Sequence, residues 1–307
     1  MSHASPWLPG DRPSTPDATR FRFIPCTGPL SHFVEYYYTA EVERRFIAEI
    51  EAARLPEVEA KLVFAIEEGN DLPGGIALGG GLRACLFVQP AHLQVIAIPG
   101  SIRQAVGASL RPNGLRLILP QGAQGLVDAP LVALDELWGA EARELRDRLA
   151  LETTASARLA LMEQYLLSRV EQLDRPSRAA QRAFELIELA HGEISTEQLA
   201  HACGFSSRTL RSTTVAEAGL TPKQLARIVR IRYALNLLTG AGVPLSAAAA
   251  SSAFADHAHM SREFRELLGE PPSRLGLKIR STKLPAFSAE RNLFDTGLLV
   301  LSKSSGP

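Results

Sequence analysis

The chain has 307 residues, 46% apolar and 21% charged, and its 33 basic and 33 acidic side chains give a formal net charge of zero. Such a length points to two domains of ordinary size, and the composition excludes a disordered chain. The neutral balance excludes a molecule drawn to nucleic acid over its whole surface, so any basic face has to be local. Cys26, Cys85 and Cys203 are odd in number and far apart. They give neither a disulfide framework nor a metal-knuckle spacing, and each reads as a small buried hydrophobe in a reducing cytoplasm. The opening MSHASPWLPGDRPS lacks the charged start and apolar run of a signal peptide, and no stretch approaches about 18 consecutive apolar residues. A soluble cytoplasmic protein is the expectation.

Residues 1–19 read as a flexible N-terminus. Between glycine- and proline-rich breaks, HFVEYYY, KLVFAI, ACLFV, LQVIAI and GLRLIL are short and rich in β-branched or aromatic residues, which favours strands. Strands so punctuated predict an antiparallel barrel or sandwich. In EYYYTA, alternation puts Tyr36 and Tyr38 on one face and Tyr37 on the other, with either a pocket or the core as their place. LRPNGLRL (110–117) reads as a turn between strands, where Arg111 holds a surface ion pair or an acidic ligand. GGIALGGGL lacks the strand-then-helix context of a dinucleotide fingerprint and reads as a loop or hairpin. From about Asp135, DELWGAEARELRDRLA and SARLALMEQYLLSRV carry apolar residues at helical spacing and predict two helices, packed against each other or against the barrel. Residues 20–174 thus form one domain, closed by the polar linker EQLDRPSR (171–178). Residues 178–280 read as all-helical, and 281–307 as a loosely attached tail. The fold class is α+β followed by an all-α domain.

The helical half repeats itself. Phe205 falls on Phe254 at an offset of 49, and after one inserted residue Leu210 meets Met260, Gly219 meets Gly269, Pro222 meets Pro272 and Leu225 meets Leu275. A duplication of this size is one supersecondary unit used twice. In the first copy Ser195 and Gln198 form a capping box, TEQLAHA is a helix, Gly204 makes the turn, Ser206 caps SRTLRSTTVAEA and Gly219 stops it. In the second, PLSAAAASSA leads, Asp256 caps HAHMSREFRELL and Gly269 stops it. Each has the punctuation of helix–turn–helix. Thr221 and Pro222 start a linking helix of about 18 residues that ends at Gly240 and spans roughly 27 Å. Such a rod holds two reading helices about one DNA turn, near 34 Å, apart. Leu225, Ile228, Ile231, Leu235 and Leu238 share its burial face, and Lys223, Arg227 and Arg230 another.

The N-terminal residues of each second helix would enter a major groove. Arg208, Arg211, His257 and Arg262 are the expected groove contacts; Ser207, Ser212 and Arg265 are expected at the backbone. His259 is either a further contact or packed against its leading helix. Hydroxyls, imidazoles and guanidinium groups bond base edges and phosphates. A metal site is disfavoured, because histidines at i and i+2 point about 200° apart on a helix. Between Arg208 and Arg280 there are eleven Lys/Arg against five Asp/Glu, a local excess of six positive charges in a neutral chain. No nucleophile elbow, metal spacing or phosphate loop points to an enzyme or a cofactor.

LAHACGFSSRTL, GLTPKQLARIVRIRYALNLL and FADHAHMSREFRELLGEPPSRL together resemble the DNA-binding domain of AraC/XylS-class bacterial transcription regulators. RLPEVEAKLVF, IRQAVGASLRPNGLRLIL and LVALDELWGAEARELRDRL resemble a module found ahead of such domains. The resemblance implies a regulator of transcription with a sensor or dimerisation domain. Its implied partners are double-stranded DNA and RNA polymerase, with a small-molecule effector and a second copy of the chain as further expectations. Four positions depart from the pattern. Ser212 and Thr214 stand where the family has arginine and phenylalanine, as their repeat partners Arg262 and Phe264 also show. Ala253 occupies the usual turn glycine, and Ala248 replaces a larger aliphatic. An unfilled phenylalanine site costs about 3–5 kcal/mol, and alanine at positive φ on the order of 1 kcal/mol. The competing reading is an interaction protein of the same build with lost or relaxed DNA binding.

Overall fold

The computed structural model describes residues 19–42, 50–54, 56–67, 82–87, 94–98, 102–119, 132–173, 177–239, 243–275 and 298–303. The N-terminal strands are β1 (Thr19–Pro25), β2 (Val34–Val42), β3 (Ile50–Arg54), β4 (Ala60–Glu67), β5 (Leu82–Phe87), β6 (Gln94–Ile98), β7 (Ile102–Leu110) and the short β8 (Val132–Ala133). Strand β9 (Leu298–Lys303) comes from the C-terminal tail. A six-stranded sheet runs β1-β2-β7-β4-β5-β8 and a three-stranded one β6-β3-β9; every described pairing is antiparallel. The expected antiparallel class forms, as two open sheets rather than one closed barrel. The tail read as loosely attached pairs with β3 over its last strand. GGIALGGGL lies outside the described residues up to Leu82, where β5 begins.

Period-two alternation decides which side chains meet. Across β2, β7 and β4, Tyr37, Ala108 and Leu62 form one row, and Tyr36, Ser109 and Lys61 the next. The first row points into the core with Phe64, Val106 and Leu110. The second row points to the other face. There Lys61 Nζ donates to Ser109 Oγ at 2.8 Å and to the Tyr36 hydroxyl at 3.3 Å, and pairs with Glu57 at 3.2 Å. Burial pushes the Tyr36 hydroxyl pKa up to about 12, against the pull of Lys61. Tyr36 and Tyr38 thus share a face as expected, their rings edge-on at 6.5 Å.

Four helices cover the core: α1 (Leu115–Ile118), α2 (Leu134–Trp138), α3 (Ala140–Leu151) and α4 (Ala155–Gln172). Two sequence expectations change here. GLRLIL is a helical turn, not a strand. Pro112–Gly114 bends the chain into a 3-10 turn, and Leu115, Leu117 and Ile118 are then all buried, which strand alternation would not allow. DELWGAEARELRDRLA is two helices, because Gly139 turns left-handed at φ 58° between them. Arg111 Nε donates to the Ser31 carbonyl at 3.1 Å. The buried Arg169 fastens α4 by donating to the Leu117 carbonyl at 2.6 Å while its Nη1 pairs with Glu141 at 3.1 Å. Cys26 and Cys203 are half-buried and burial raises both thiol pKa values, as befits unreactive side chains. The side chain of Cys85 lies outside the described residues.

The helical domain comprises α5 (Arg178–Leu189), α6 (Thr196–Cys203), α7 (Ser207–Ala218), α8 (Pro222–Thr239), α9 (Leu245–Ser251) and α10 (His257–Leu268). All five apolar residues predicted for one face of α8 are buried, but they serve two cores. Leu225 and Ile228 join Phe184, Ile187, Leu199 and Leu210. Ile231, Leu235 and Leu238 join Phe254, Met260, Phe264 and Leu267. The turn into α6 is pressed onto α8: a Cβ on Gly192, which sits at φ 78°, would lie 2.2 Å from the Ala226 carbonyl oxygen. Both the left-handed backbone and the contact demand glycine. Gly192→Ala is therefore expected to destabilise the chain by roughly 2 kcal/mol or more, read from urea unfolding followed by circular dichroism. An unchanged midpoint would show that this turn does not bear on α8.

Candidate nucleic-acid interface

The two repeats fold as two helix–turn–helix units whose second helices start on side-chain caps. In the first, the Ser195–Gln198 capping box forms in both directions at 2.9 and 3.1 Å. Gly204 turns left-handed at φ 70°, and the Ser206 hydroxyl accepts from the Thr209 amide at 3.1 Å. In the second, Asp256 accepts from the His259 amide at 2.6 Å, a bond that holds the Asp256 carboxyl below its usual pKa. Gly219 and Gly269 end α7 and α10 with matching left-handed caps. Leu210 and Thr214 of α7, and Met260 and Phe264 of α10, face inward.

The opposite faces stay open. Ser207, Arg208, Arg211 and Ser212 on α7 are exposed, as are His257, Arg262 and Arg265 on α10. Each helix thus presents arginine beside hydroxyl or imidazole groups near its N-terminus, where backbone N–H groups also favour anions. His259 is only half-exposed. Its ring stands edge-on to Phe254 at 5.5 Å and its Nδ1 accepts from the Ala255 amide at 3.3 Å. It braces the turn between α9 and α10 rather than the leading helix itself. The Ser212 hydroxyl donates to the Thr209 carbonyl at 2.9 Å, so it is already engaged by its own helix.

The basic face expected on α8 is largely used up inside the protein. Arg227 pairs with Glu263 and, at 2.6 Å, with Glu266 of α10. Arg230 donates to the Gly192 carbonyl at 2.8 Å and lies over the Phe254 ring. Lys223 remains exposed. Among the described residues no group of histidine, cysteine and carboxylate side chains could hold a metal ion, and no helix is long and apolar enough to cross a membrane.

The model of a helix-turn-helix domain matches residues 199–276. No curated protein matches the chain. Among solved structures, a probable AraC family transcriptional regulator from Rhodopseudomonas palustris CGA009 is 33% identical, over 33% of this chain and 96% of that one, with a TM-score of 0.30. The chain belongs to the AraC family of transcriptional regulators. ToxT from Vibrio cholerae O395 aligns at 11% identity over 81% of this chain and 99% of ToxT, with a TM-score of 0.41. Unsaturated fatty acid-bound ToxT from strain SCE256 aligns at 13% over 75% and 94%, with a TM-score of 0.40.

This AraC-family chain handles its departures differently at each site. Ala253 does adopt positive φ, at 52°, so the strain expected of a non-glycine turn is present. Thr214, at 0% exposure, is as buried as Phe264, and its hydroxyl donates to the Arg211 carbonyl at 3.1 Å. No buried donor is orphaned by the substitution. The first unit is completed from outside instead. Val58 of the N-terminal domain belongs to its core, and the 112–118 segment packs against α7.

Charge reinforces that docking. Arg116 Nη1 meets Glu217 of α7 at 3.2 Å, and Arg232 of α8 meets the buried Glu59 at 2.7 Å. Sequence reasoning missed both pairs, whose partners lie 101 and 173 residues apart; nothing in either local pattern announces its partner. Burial opposes ionisation of Glu59, yet Arg232 and then Lys61 outweigh it and hold the carboxyl below its ordinary pKa. A carboxylate shifted down stabilises the fold at pH above its unfolded value, about 4.3 for glutamate, and loses that contribution as pH falls through the folded value. Glu59→Gln should therefore lower stability at neutral pH by roughly 1–3 kcal/mol, less than a fully buried pair because Arg232 is partly exposed. The gap between variant and native protein should narrow as the pH is lowered through the folded value. A gap in urea unfolding that does not narrow on acidification would remove the ion pair from the account.

Proposed function

We propose that this regulator reads two successive major grooves with α7 and α10, and that the N-terminal domain modulates the first of them. The observation that carries the reading is the shared build of the two units. Each buries one face of its second helix in a core that includes part of α8, and each leaves arginines exposed beyond a side-chain cap. Arg208, Arg211, His257 and Arg262 are the proposed groove contacts, with Ser207 and Arg265 at the phosphates. Ser212 makes a weaker backbone contact than the arginine found at the matching place in α10, so the second unit contributes more. An effector or a second copy of the chain bound to the N-terminal domain would reach α7 through Arg116–Glu217 and α8 through Glu59–Arg232. RNA polymerase is the partner expected beside a bound operator.

The specific observation that favours relaxed DNA reading is that the Ser212 and Thr214 hydroxyls both donate to carbonyls of their own helix. Fluorescence anisotropy with fragments of the gene's own upstream region separates the two readings. Native protein should bind one fragment selectively, with affinity that falls as salt rises. Arg262→Ala should cost about 1–3 kcal/mol and Arg211→Ala less. Binding that is absent, or that appears only with Ser212→Arg, would establish the relaxed reading in its place.

A further inference from the structure

The two helix–turn–helix units are joined by one continuous helix, and their cores divide along it. The first takes Leu225, Ala226 and Ile228; the second begins at Ile231. Arg230 stands at that border. Its Nη2 donates to the Gly192 carbonyl at 2.8 Å, in the turn that leads into α6. Its guanidinium carbon lies 5.8 Å from the centroid of Phe254, in the turn that leads into α10, a distance at which a cation is attracted to the ring face.

Both contacts are firmly backed. Gly192 is pressed against the α8 backbone. Phe254 is buried, its amide donates to the Ala249 carbonyl at 3.1 Å, and its ring edge meets His259 in the first turn of α10. Arg227 fixes α10 to α8, but its partners all lie in the second unit. Arg230 touches the turn that leads into the first unit, between α5 and α6, and the turn inside the second, between α9 and α10, and each of those turns sets the direction of the helix that follows it.

We infer that Arg230 is a positioning residue that fixes the angular phase between the two reading helices, and so the spacing of the two half-sites this protein accepts. The inference rests on the DNA reading proposed above. A rigid pair of readers tolerates no change in half-site phase, whereas loosely joined readers follow their sites around the duplex. Arg230→Met keeps the side chain's bulk and removes both the donor and the charge; Arg230→Lys keeps the charge and one donor.

The test uses the full-length protein on its bipartite site, on the same site with about half a DNA turn (roughly 5 bp) inserted between the halves, and on each half alone. Native protein should lose on the order of 10-fold or more on the insertion. With Arg230→Met the loss should shrink to less than about 3-fold with half-site affinities unchanged, and Arg230→Lys should restore part of the penalty. An undiminished penalty in Arg230→Met, or an equal loss on every fragment, overturns the inference. A second readout needs no DNA: spin labels at Ala202 on α6 and Ser251 on α9, with the native cysteines replaced. Their distance distribution should be narrow natively and broad in Arg230→Met. Broadening in a protein that binds no fragment would leave the strut standing and defeat the DNA reading; no broadening defeats the strut.

Discussion

Everything in the C-terminal half depends on one helix having three sets of neighbours. An 18-residue rod with a single apolar stripe would ordinarily belong to one core. Here its first half closes the first helix–turn–helix core and its second half closes the next. Its arginines are shared out in the same way. Arg227 holds α10, Arg230 joins the turn before the first unit to the turn inside the second, and Arg232 reaches the N-terminal domain. Most of the basic face of α8 is spent on internal geometry. On the proposed reading, nucleic acid meets the caps and outer faces of the helices that α8 supports.

The two units are unequal for physical reasons. The second is self-contained: Phe264 is fully buried, and α10 is fastened by its own carboxylates to Arg227. It accepts backbone strain at Ala253, which a glycine would relieve. The first has a threonine where the second has that phenylalanine, and borrows Val58 and the 112–118 segment to complete its packing. The N-terminal domain contacts α7 itself, through Glu217, as well as its support α8. If α7 reads DNA as proposed, a change in that domain has a contiguous physical route to it, of the kind a change at a distant site requires.

Local chemistry was legible in the sequence to the extent that it was local. The capping box, the left-handed glycines and the cap residues Ser206 and Asp256 all rest on groups within a few residues of one another, and each forms as read. The duplication revealed the pairing of Thr214 with Phe264, and the positive φ at Ala253 was visible from its alignment with a turn glycine. GLRLIL was misread because so short an apolar run has no period of its own to separate a helical turn from a strand. The ion pairs that dock the domains could not be read at all. Glu59 and Arg232 look like ordinary surface residues until the fold brings them within 2.7 Å. For the same reason the sequence could put His259 either at the DNA or inside the protein, and Arg230 only on a basic face of α8. The fold sets the ring of Phe254 beside His259 and the carbonyl of Gly192 within 2.8 Å of Arg230.

The central claim is that two readers held on one rod address one stretch of duplex. Hydroxyl-radical footprinting of the full-length protein on its selected upstream fragment tests it most directly. The account predicts two protected windows on the same face of the DNA, centred roughly one helical turn of about 10 bp apart. The window under α10 should be the deeper. A single window, or protection whose two parts lie on opposite faces of the duplex, would contradict it.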